Sequence, residues 1–142
     1  MKEVVVGVVG GGFASHFHSR CFARVSGFSV RLKAIADVEI EKAKAVAEAY
    51  RYEEYHDDYS ALLRDPEIDV VDICTPPFLH PRITMEAMEA GKHVICEKPL
   101  ANTRVEAQEM FDAVKKAGVN HMCAFSNRFA PAINTIKNMI QK

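Results

Sequence analysis

The chain has 142 residues, of which 49% are hydrophobic and 26% charged, and its formal net charge is −1. This length suffices for one domain with a buried core, and the composition is that of an ordinary soluble globular protein. Charges of both signs are interspersed, which argues against a nucleic-acid-binding stripe or a basic helix on a membrane surface. No apolar run approaches the length of a transmembrane helix.

Short continuous apolar runs predict strands at residues 4–9, 30–36, 70–74, 94–96 and 119–125, with a weaker strand at 54–56. Helical periodicity between them predicts helices at residues 13 to about 24, 40–50, 60–64 and 80–90. A fifth helix is opened by the capping box Thr103–Glu106 and ended by Gly118, and a sixth begins at or near Pro131. This alternation predicts one doubly wound α/β domain over residues 1–142. Its parallel sheet has about six strands, with helices on both faces.

The apolar face of the final predicted helix is formed by Ile133, Ile136, Met139 and Ile140. It either packs on the sheet or is meant for a second domain. The N-terminal apolar run is too short for a signal peptide. The four cysteines lack metal-site spacing, and three of them fall inside predicted strands, where they fit reduced thiols. This favours a cytoplasmic protein without a metal.

A glycine-rich loop follows the first predicted strand and opens the first helix. Gly10 permits a tight turn, and Gly12 removes a side chain where a pyrophosphate would approach the backbone. The free N–H groups of the helix start, around Phe13 and Ala14, would bind it. Ser15 stands where the dinucleotide fingerprint has glycine or alanine, a mild departure. The alternative is a glycine turn without a ligand.

Asp37 ends the second predicted strand, where the fingerprint places an acid for the adenosine ribose hydroxyls. Val38 follows it, so no adjacent arginine would neutralise a 2′-phosphate, and NAD is favoured over NADP. Lys42 and Lys44 are the cations that could still contact such a phosphate. Alternatively, Asp37 only caps the helix that begins near Ile40.

Two more strand exits carry candidate side chains. Thr75 and Pro76 follow the fourth strand, where the prolines fix the backbone and His80 either contacts the ribose or nicotinamide or simply caps the next helix. Ligands of open α/β sheets bind at the carboxyl ends of the strands.

The fifth strand ends in Glu97, Lys98 and Pro99. Burial and a nicotinamide cation would lower the pKa of Lys98 toward general acid–base work, with Glu97 orienting the amine or binding a ribose hydroxyl. The alternative is an exposed ion pair. Arg128, after the sixth strand, either lines the substrate side or lies at the surface.

These motifs together resemble one known family, over essentially the whole chain. The residues that carry the resemblance are 10–12 with His18, Asp37, Asp58 and Tyr59, 65–66, 68–71, Thr75, Pro76 and His80, 91–94, 97–100, and Arg128, Phe129 and Pro131. The chain is similar to the N-terminal NAD(P)-binding Rossmann domain of the glucose–fructose oxidoreductase, inositol dehydrogenase and MocA oxidoreductases. The string at 91–100 is far more specific than the glycine loop.

The resemblance implies hydride transfer between NAD(P) and a sugar, polyol or related alcohol or carbonyl. Lys98 takes the family's catalytic-lysine position, and the candidates at the other strand exits take cofactor positions. Family members also have a C-terminal domain that supplies the substrate pocket and the homo-oligomer interface. These residues alone are therefore expected to bind dinucleotide without turnover. The remaining alternatives are a dinucleotide-sensing regulator or scaffold and an adenosyl-methyltransferase, which leaves Lys98 unexplained.

Overall fold

A computed structural model describes residues 3–141 of the chain. Their sheet has six parallel strands in the spatial order β3-β2-β1-β4-β5-β6. The strands are β1 (Glu3–Val9), β2 (Ser29–Ala36), β3 (Glu54–His56), β4 (Val70–Ile73), β5 (His93–Cys96) and β6 (His121–Cys123). The sequence prediction of a doubly wound α/β domain is confirmed.

Helices connect successive strands, as parallel pairing requires. They are α1 (Phe13–Phe22), α2 (Ile40–Tyr50), α3 (Ser60–Arg64), α4 (His80–Glu89), α5 (Arg104–Ala117) and α6 (Pro131–Ile140). Two short 3₁₀ turns, Pro77–Leu79 and Ser126–Phe129, precede α4 and α6. None of the helices in residues 3–141 is long and apolar enough to cross a membrane.

Strand β1 is apolar at every central position because both of its faces are covered. Val5 and Val9 belong to a core cluster that includes Leu62 of α3 and Ile83 of α4. Val6 and Val8 point to the other face, into a cluster formed with α2. The chain runs outward from β1 to β3 and then crosses to β4, so a crevice opens between β1 and β4 at their carboxyl ends.

Lys92 fixes the opposite, amino-terminal edge of the sheet. Gly91 adopts a φ of +75° just after α4, and Lys92 follows as a buried residue immediately before β5. The Lys92 ammonium donates hydrogen bonds to the carbonyl oxygens of Asp65 and Ile68, at 2.6 and 2.9 Å. A buried ammonium with such partners avoids the large cost of an unpaired buried charge. It joins the β5 entrance to the loop before β4.

Several predicted boundaries are confirmed at residue level. The side chain of Thr103 and that of Glu106 form the reciprocal capping box. Gly118 ends α5 in a left-handed conformation, and Pro131 is the first residue of α6.

One sequence prediction needs correction, and the structure decides one alternative that the sequence left open. The sixth strand is shorter than residues 119–125, because the Phe125 N–H turns back to the Cys123 carbonyl at 2.7 Å. The apolar face of α6 does not pack on the sheet, since Ile133, Ile136 and Met139 are all exposed in this structure.

Candidate cofactor site and lysine exit

The glycine loop is shaped by two different requirements. Gly10 has a φ of +104°, and a Cβ there would lie 2.7 Å from the Cys74 carbonyl oxygen, so no other side chain fits. A Cβ on Gly12 would meet nothing within 4 Å, which leaves open space beside the first turn of α1. No side chain caps that turn, so the N–H groups that begin at Phe13 and Ala14 are available for an anion.

Asp37 binds the protein backbone on both sides. One carboxylate oxygen accepts from the Gly11 N–H at 2.6 Å, and the other accepts from the Glu39 N–H at 2.8 Å. The carboxylate therefore fixes the glycine loop and the turn that leads into α2. Asp37 also lines the crevice described next, and it is not a side-chain cap of α2, whose N-cap residue is Glu39.

A cavity of about 610 Å³ occupies the crevice at the carboxyl ends of the strands. Its lining includes the predicted residues Gly10, Gly12, Asp37, Thr75 and Pro76. The Thr75 hydroxyl is buried and has no hydrogen-bond partner in this structure, although such groups are usually satisfied. An unsatisfied hydroxyl beside a glycine loop and free helix N–H groups suits a polar ligand such as a dinucleotide.

Three acidic side chains and two cations line the side of the cavity beyond Asp37, and both cations are paired with glutamates. Asp37, Glu39 and Asp57 line it together with Lys42 and Arg82. The Lys42 ammonium pairs with Glu39, and the Arg82 guanidinium pairs with Glu86 at 2.9 Å. Val38 is exposed between the two acids.

His80 lies behind the cavity wall. Its ring is buried between two carbonyl oxygens, with Nε2 2.8 Å from that of Thr75 and Nδ1 2.8 Å from that of Pro99. The ring is thus a link between the β4 and β5 exits. It is not a side-chain cap of α4.

Lys98 leaves the end of β5 with its side chain 65% exposed. Its backbone N–H donates to Glu97 Oε2 at 2.9 Å, and its ammonium lies 3.7 Å from the same oxygen. The Lys98–Pro99 peptide bond is cis. Strands β1, β4 and β5 are parallel neighbours, so their carboxyl ends lie at one edge of the sheet. The Lys98 amine therefore lies at the same edge as the glycine loop.

His18 is the central side chain that reasoning from single motifs missed. Its Nδ1 lies 2.8 Å from Asp72 Oδ2, and its Nε2 lies 3.1 Å from Glu97 Oε1. Asp72 is fully buried in β4. The sequence did contain one indication of this cluster, namely Asp72 inside the apolar run 70–74. A buried carboxylate needs a partner, so its position predicts one. The partner comes from a distant helix, so no local spacing connects the two residues.

The pKa values of this cluster follow from burial and from the paired charges. Burial lowers the pKa of His18, but the hydrogen bonds and charges of Asp72 and Glu97 outweigh burial and raise it above its ordinary value. Burial raises the pKa of Asp72, and His18 only partly opposes this effect. The carboxylates thus raise the pKa of His18, and burial raises that of Asp72.

Cys74 completes the cluster, with its sulfur 3.6 Å from His18 Nδ1. The possible ligand atoms of Cys74, His18 and Asp72 lie within 4.8 Å of one another. Burial raises the pKa of the Cys74 thiol. Hydrogen bonds account for the three contacts.

Arg128 lies outside the glycine-loop cavity. Its guanidinium carbon is 5.8 Å from the centre of the Phe129 ring, in an exposed cleft formed with Phe125 and Ile133 of α6. The structure thus brings the glycine loop, Asp37, Thr75 and Pro76 together around one cavity and places Arg128 at another surface.

The parallel sheet, the glycine loop at a helix start, the acid after β2 and the crevice between β1 and β4 define a dinucleotide-binding Rossmann domain. Residues 4–125 match the family described as "Oxidoreductase family, NAD-binding Rossmann fold". The chain belongs to this family of glucose–fructose oxidoreductase, inositol dehydrogenase and MocA proteins, and it is an NAD-binding domain of that type.

Relatives of known activity and structure agree with this assignment. Levoglucosan dehydrogenase of Pseudarthrobacter phenanthrenivorans is 42% identical over 149 residues, covering 100% of this chain and 38% of the enzyme. A structure of levoglucosan dehydrogenase with NADH and levoglucosan superposes with a TM-score of 0.85 at 38% identity, covering 99% of this chain and 39% of that one.

A 3-ketoreductase from Actinomadura kijaniata, in complex with NADP, gives a TM-score of 0.89 at 27% identity and covers 99% and 44% of the two chains. Similar proteins therefore include complexes with either nicotinamide dinucleotide. The chain spans about two fifths of the length of the relatives it matches.

Proposed function

We propose that the protein is an NAD-dependent oxidoreductase acting on a CH–OH group, or on the matching carbonyl, of a sugar- or polyol-like substrate. NAD bound in the cavity would supply the acceptor or donor of the hydride. The observation that carries the proposal is the exposed Lys98 amine at the same sheet edge as the glycine-loop cavity. The relatives' activities, which include levoglucosan oxidation by name, support this substrate class.

The residues around the cavity fit a dinucleotide. The open space at Gly12 and the N–H groups of Phe13 and Ala14 suit the pyrophosphate. The unpartnered Thr75 hydroxyl, held in place beside Pro76, is suited to the nicotinamide half. Asp37 lies at the adenosine side, where a carboxylate accepts hydrogen bonds from ribose hydroxyls.

Preference for NAD over NADP follows in this proposal from the charges at that side. Asp37 and Glu39 would repel a 2′-phosphate, while the nearby Lys42 is already paired with Glu39. Val38, the residue after Asp37, offers no compensating cation.

Lys98 has the role of proton donor and acceptor for the substrate oxygen. As the alcohol loses hydride from carbon, its O–H proton passes to the Lys98 amine, and the reverse transfer accompanies carbonyl reduction. Glu97 contacts the backbone N–H of Lys98 and lies near its ammonium, so it restricts where the amine points.

The proposal covers the whole protein, since the matched relatives are much longer than this chain. Residues 1–142 form its cofactor domain, while the substrate pocket, further acid–base groups and homo-oligomer contacts belong to other parts of such proteins. A cytoplasmic location is proposed from the four free cysteines.

Calorimetric titration of NAD, NADH and NADPH against the chain tests the cofactor half of the proposal. We expect NAD and NADH to bind, and NADPH to bind at least about tenfold more weakly. Absence of binding by all three would refute the proposal. Tight NADPH binding without NADH binding would refute the argument from Asp37 and Val38.

Replacement of Lys98 by alanine tests the catalytic half, in the protein that turns substrate over. We expect turnover to fall about 10²–10⁴-fold with dinucleotide affinity nearly unchanged. Lys116→Ala, an exposed lysine in the last turn of α5, is the matched control. Unchanged turnover in Lys98→Ala, with binding intact, would instead favour a dinucleotide sensor.

A further inference from the structure

The residues on either side of Lys98 are each fixed by a histidine from a different helix. His18 of α1 contacts the Glu97 carboxylate at 3.1 Å, and His80 of α4 contacts the Pro99 carbonyl oxygen at 2.8 Å. The Lys98 side chain itself is exposed and has Glu97 as its one ion-pair partner within residues 3–141. The position of its amine therefore depends on the segment that carries it.

Of the two histidines, His18 has an ionic anchor. Its ring is 11% exposed and lies between Asp72 of β4 on one nitrogen and Glu97 after β5 on the other. Cys74, the residue after β4, is the other titratable group against the ring, and Lys98 lies beyond Glu97. Because Asp72 is fully buried, displacing the ring would leave an uncompensated buried carboxylate.

We propose that His18, anchored by Asp72, is a positioning residue for Lys98 that acts through Glu97. One Glu97 oxygen faces His18, and the other faces the backbone N–H and the ammonium of Lys98. The inference deepens the proposed function, since it rests on a catalytic role for Lys98.

Sharing of Glu97 has a chemical consequence for the amine. When His18 is protonated it donates to both carboxylates, so Glu97 divides its negative charge between an imidazolium and an ammonium. Without His18, the whole carboxylate charge would be available to Lys98, which would hold its proton more firmly. The amine would then accept the substrate proton less readily.

His16 provides a matched control on the same helix. Its Nδ1 lies 3.3 Å from the hydroxyl of Tyr50, and its ring packs edge-on against the Tyr50 ring, with centroids 5.5 Å apart. It contacts neither Asp72 nor Glu97. His16→Gln and His18→Gln therefore remove the same side chain from α1, but only the second removes the connection to Lys98.

Trace labelling of the amines with acetic anhydride, read by mass spectrometry, measures this connection without any turnover. The quantity is the labelling rate of Lys98 divided by that of Lys116 in the same molecule. We expect His18→Gln to lower this ratio about two- to fivefold, as one strengthened exposed ion pair would. Glu97→Gln should raise the ratio, and His16→Gln should leave it unchanged. An equal ratio in His18→Gln and His16→Gln would overturn the proposal.

A second measurement needs no variant at position 18. Imidazole NMR titration of the unaltered chain should show His18 retaining its proton above the ordinary pKa of about 6.5. Glu97→Gln should lower that pKa. A His18 that loses its proton below the ordinary value would overturn the inference. If Lys98→Ala leaves turnover unchanged, the proposed catalysis fails, while the labelling ratio still reports separately on positioning.

Discussion

The two halves of the sheet build their share of the site by different means. On the β1–β2 side, the glycine loop and Asp37 act almost entirely through backbone groups, since both Asp37 oxygens accept from main-chain N–H groups. On the β4–β5 side, the lysine exit is organised by side chains, chiefly the contacts of His18 with Asp72 and Glu97. A backbone site can be recognised from a local motif, whereas a side-chain network is visible only after folding.

The largest contrast is expected within the backbone half, between Gly10 and Gly12. Gly10→Ala should lower the free energy of unfolding by about 2–4 kcal/mol, from its positive φ and the clash with the Cys74 carbonyl. Gly12→Ala should cost less than about 0.5 kcal/mol, because the added methyl group meets open space, yet it should weaken NAD binding. Urea unfolding and calorimetric titration of both variants measure this. Equal destabilisation would show that the two glycines do not have distinct roles.

The prediction of intermediate size compares one buried or backbone-bound carboxylate from each half of the sheet, by its effect on the free energy of unfolding. Asp72→Asn should cost about 1–3 kcal/mol, because a buried group loses its charged hydrogen-bond partner. Asp37→Asn is the control, since its amide oxygen can still accept from the Gly11 N–H, and about 0.5–1 kcal/mol is expected. The same unfolding measurement compares them. A larger loss at Asp37 would reverse the assignment of backbone and side-chain halves.

The smallest effect is the pH dependence of the side-chain half. The folded-state pKa of His18 is raised, so its stabilising contribution is fully present below the unfolded value of about 6.5. That contribution is lost as the pH rises through the raised folded-state pKa. The stability difference between the unaltered chain and His18→Gln should therefore shrink from pH 6 to pH 9. His16→Gln serves as control, and a difference that grows with pH would contradict the charged bridge.

The sequence predicted those features whose causes are local. The bounds of α2 and α3 agree with prediction, as do the Thr103 capping box and the Gly118 stop, because periodicity and caps reside in neighbouring residues. The extent of β6 was wrong because a turn at Phe125, and not apolar content, ends it. Five of the cofactor candidates line one cavity, namely Gly10, Gly12, Asp37, Thr75 and Pro76.

What remained beyond sequence reasoning depends on tertiary contacts. His18 is 54 residues from Asp72 and 79 from Glu97, so no spacing rule connects them. His80 was predicted either to contact the ribose or nicotinamide or to cap the next helix. The structure shows no such cap and buries the ring between the carbonyl oxygens of Thr75 and Pro99. Its position after two prolines gave no indication of that second carbonyl.

The buried Lys92 has a consequence for how distant relatives are recognised. Its ammonium joins two loops at the amino-terminal edge of the sheet, far from the cavity, while Lys98 lies at the carboxyl-terminal edge. The diagnostic string at residues 91–100 therefore contains two lysines at opposite ends of β5. Lys92 stabilises the fold, and Lys98 is the candidate for chemistry. A homologue that kept the first lysine but replaced the second would share this scaffold and would lack the lysine proposed for proton transfer.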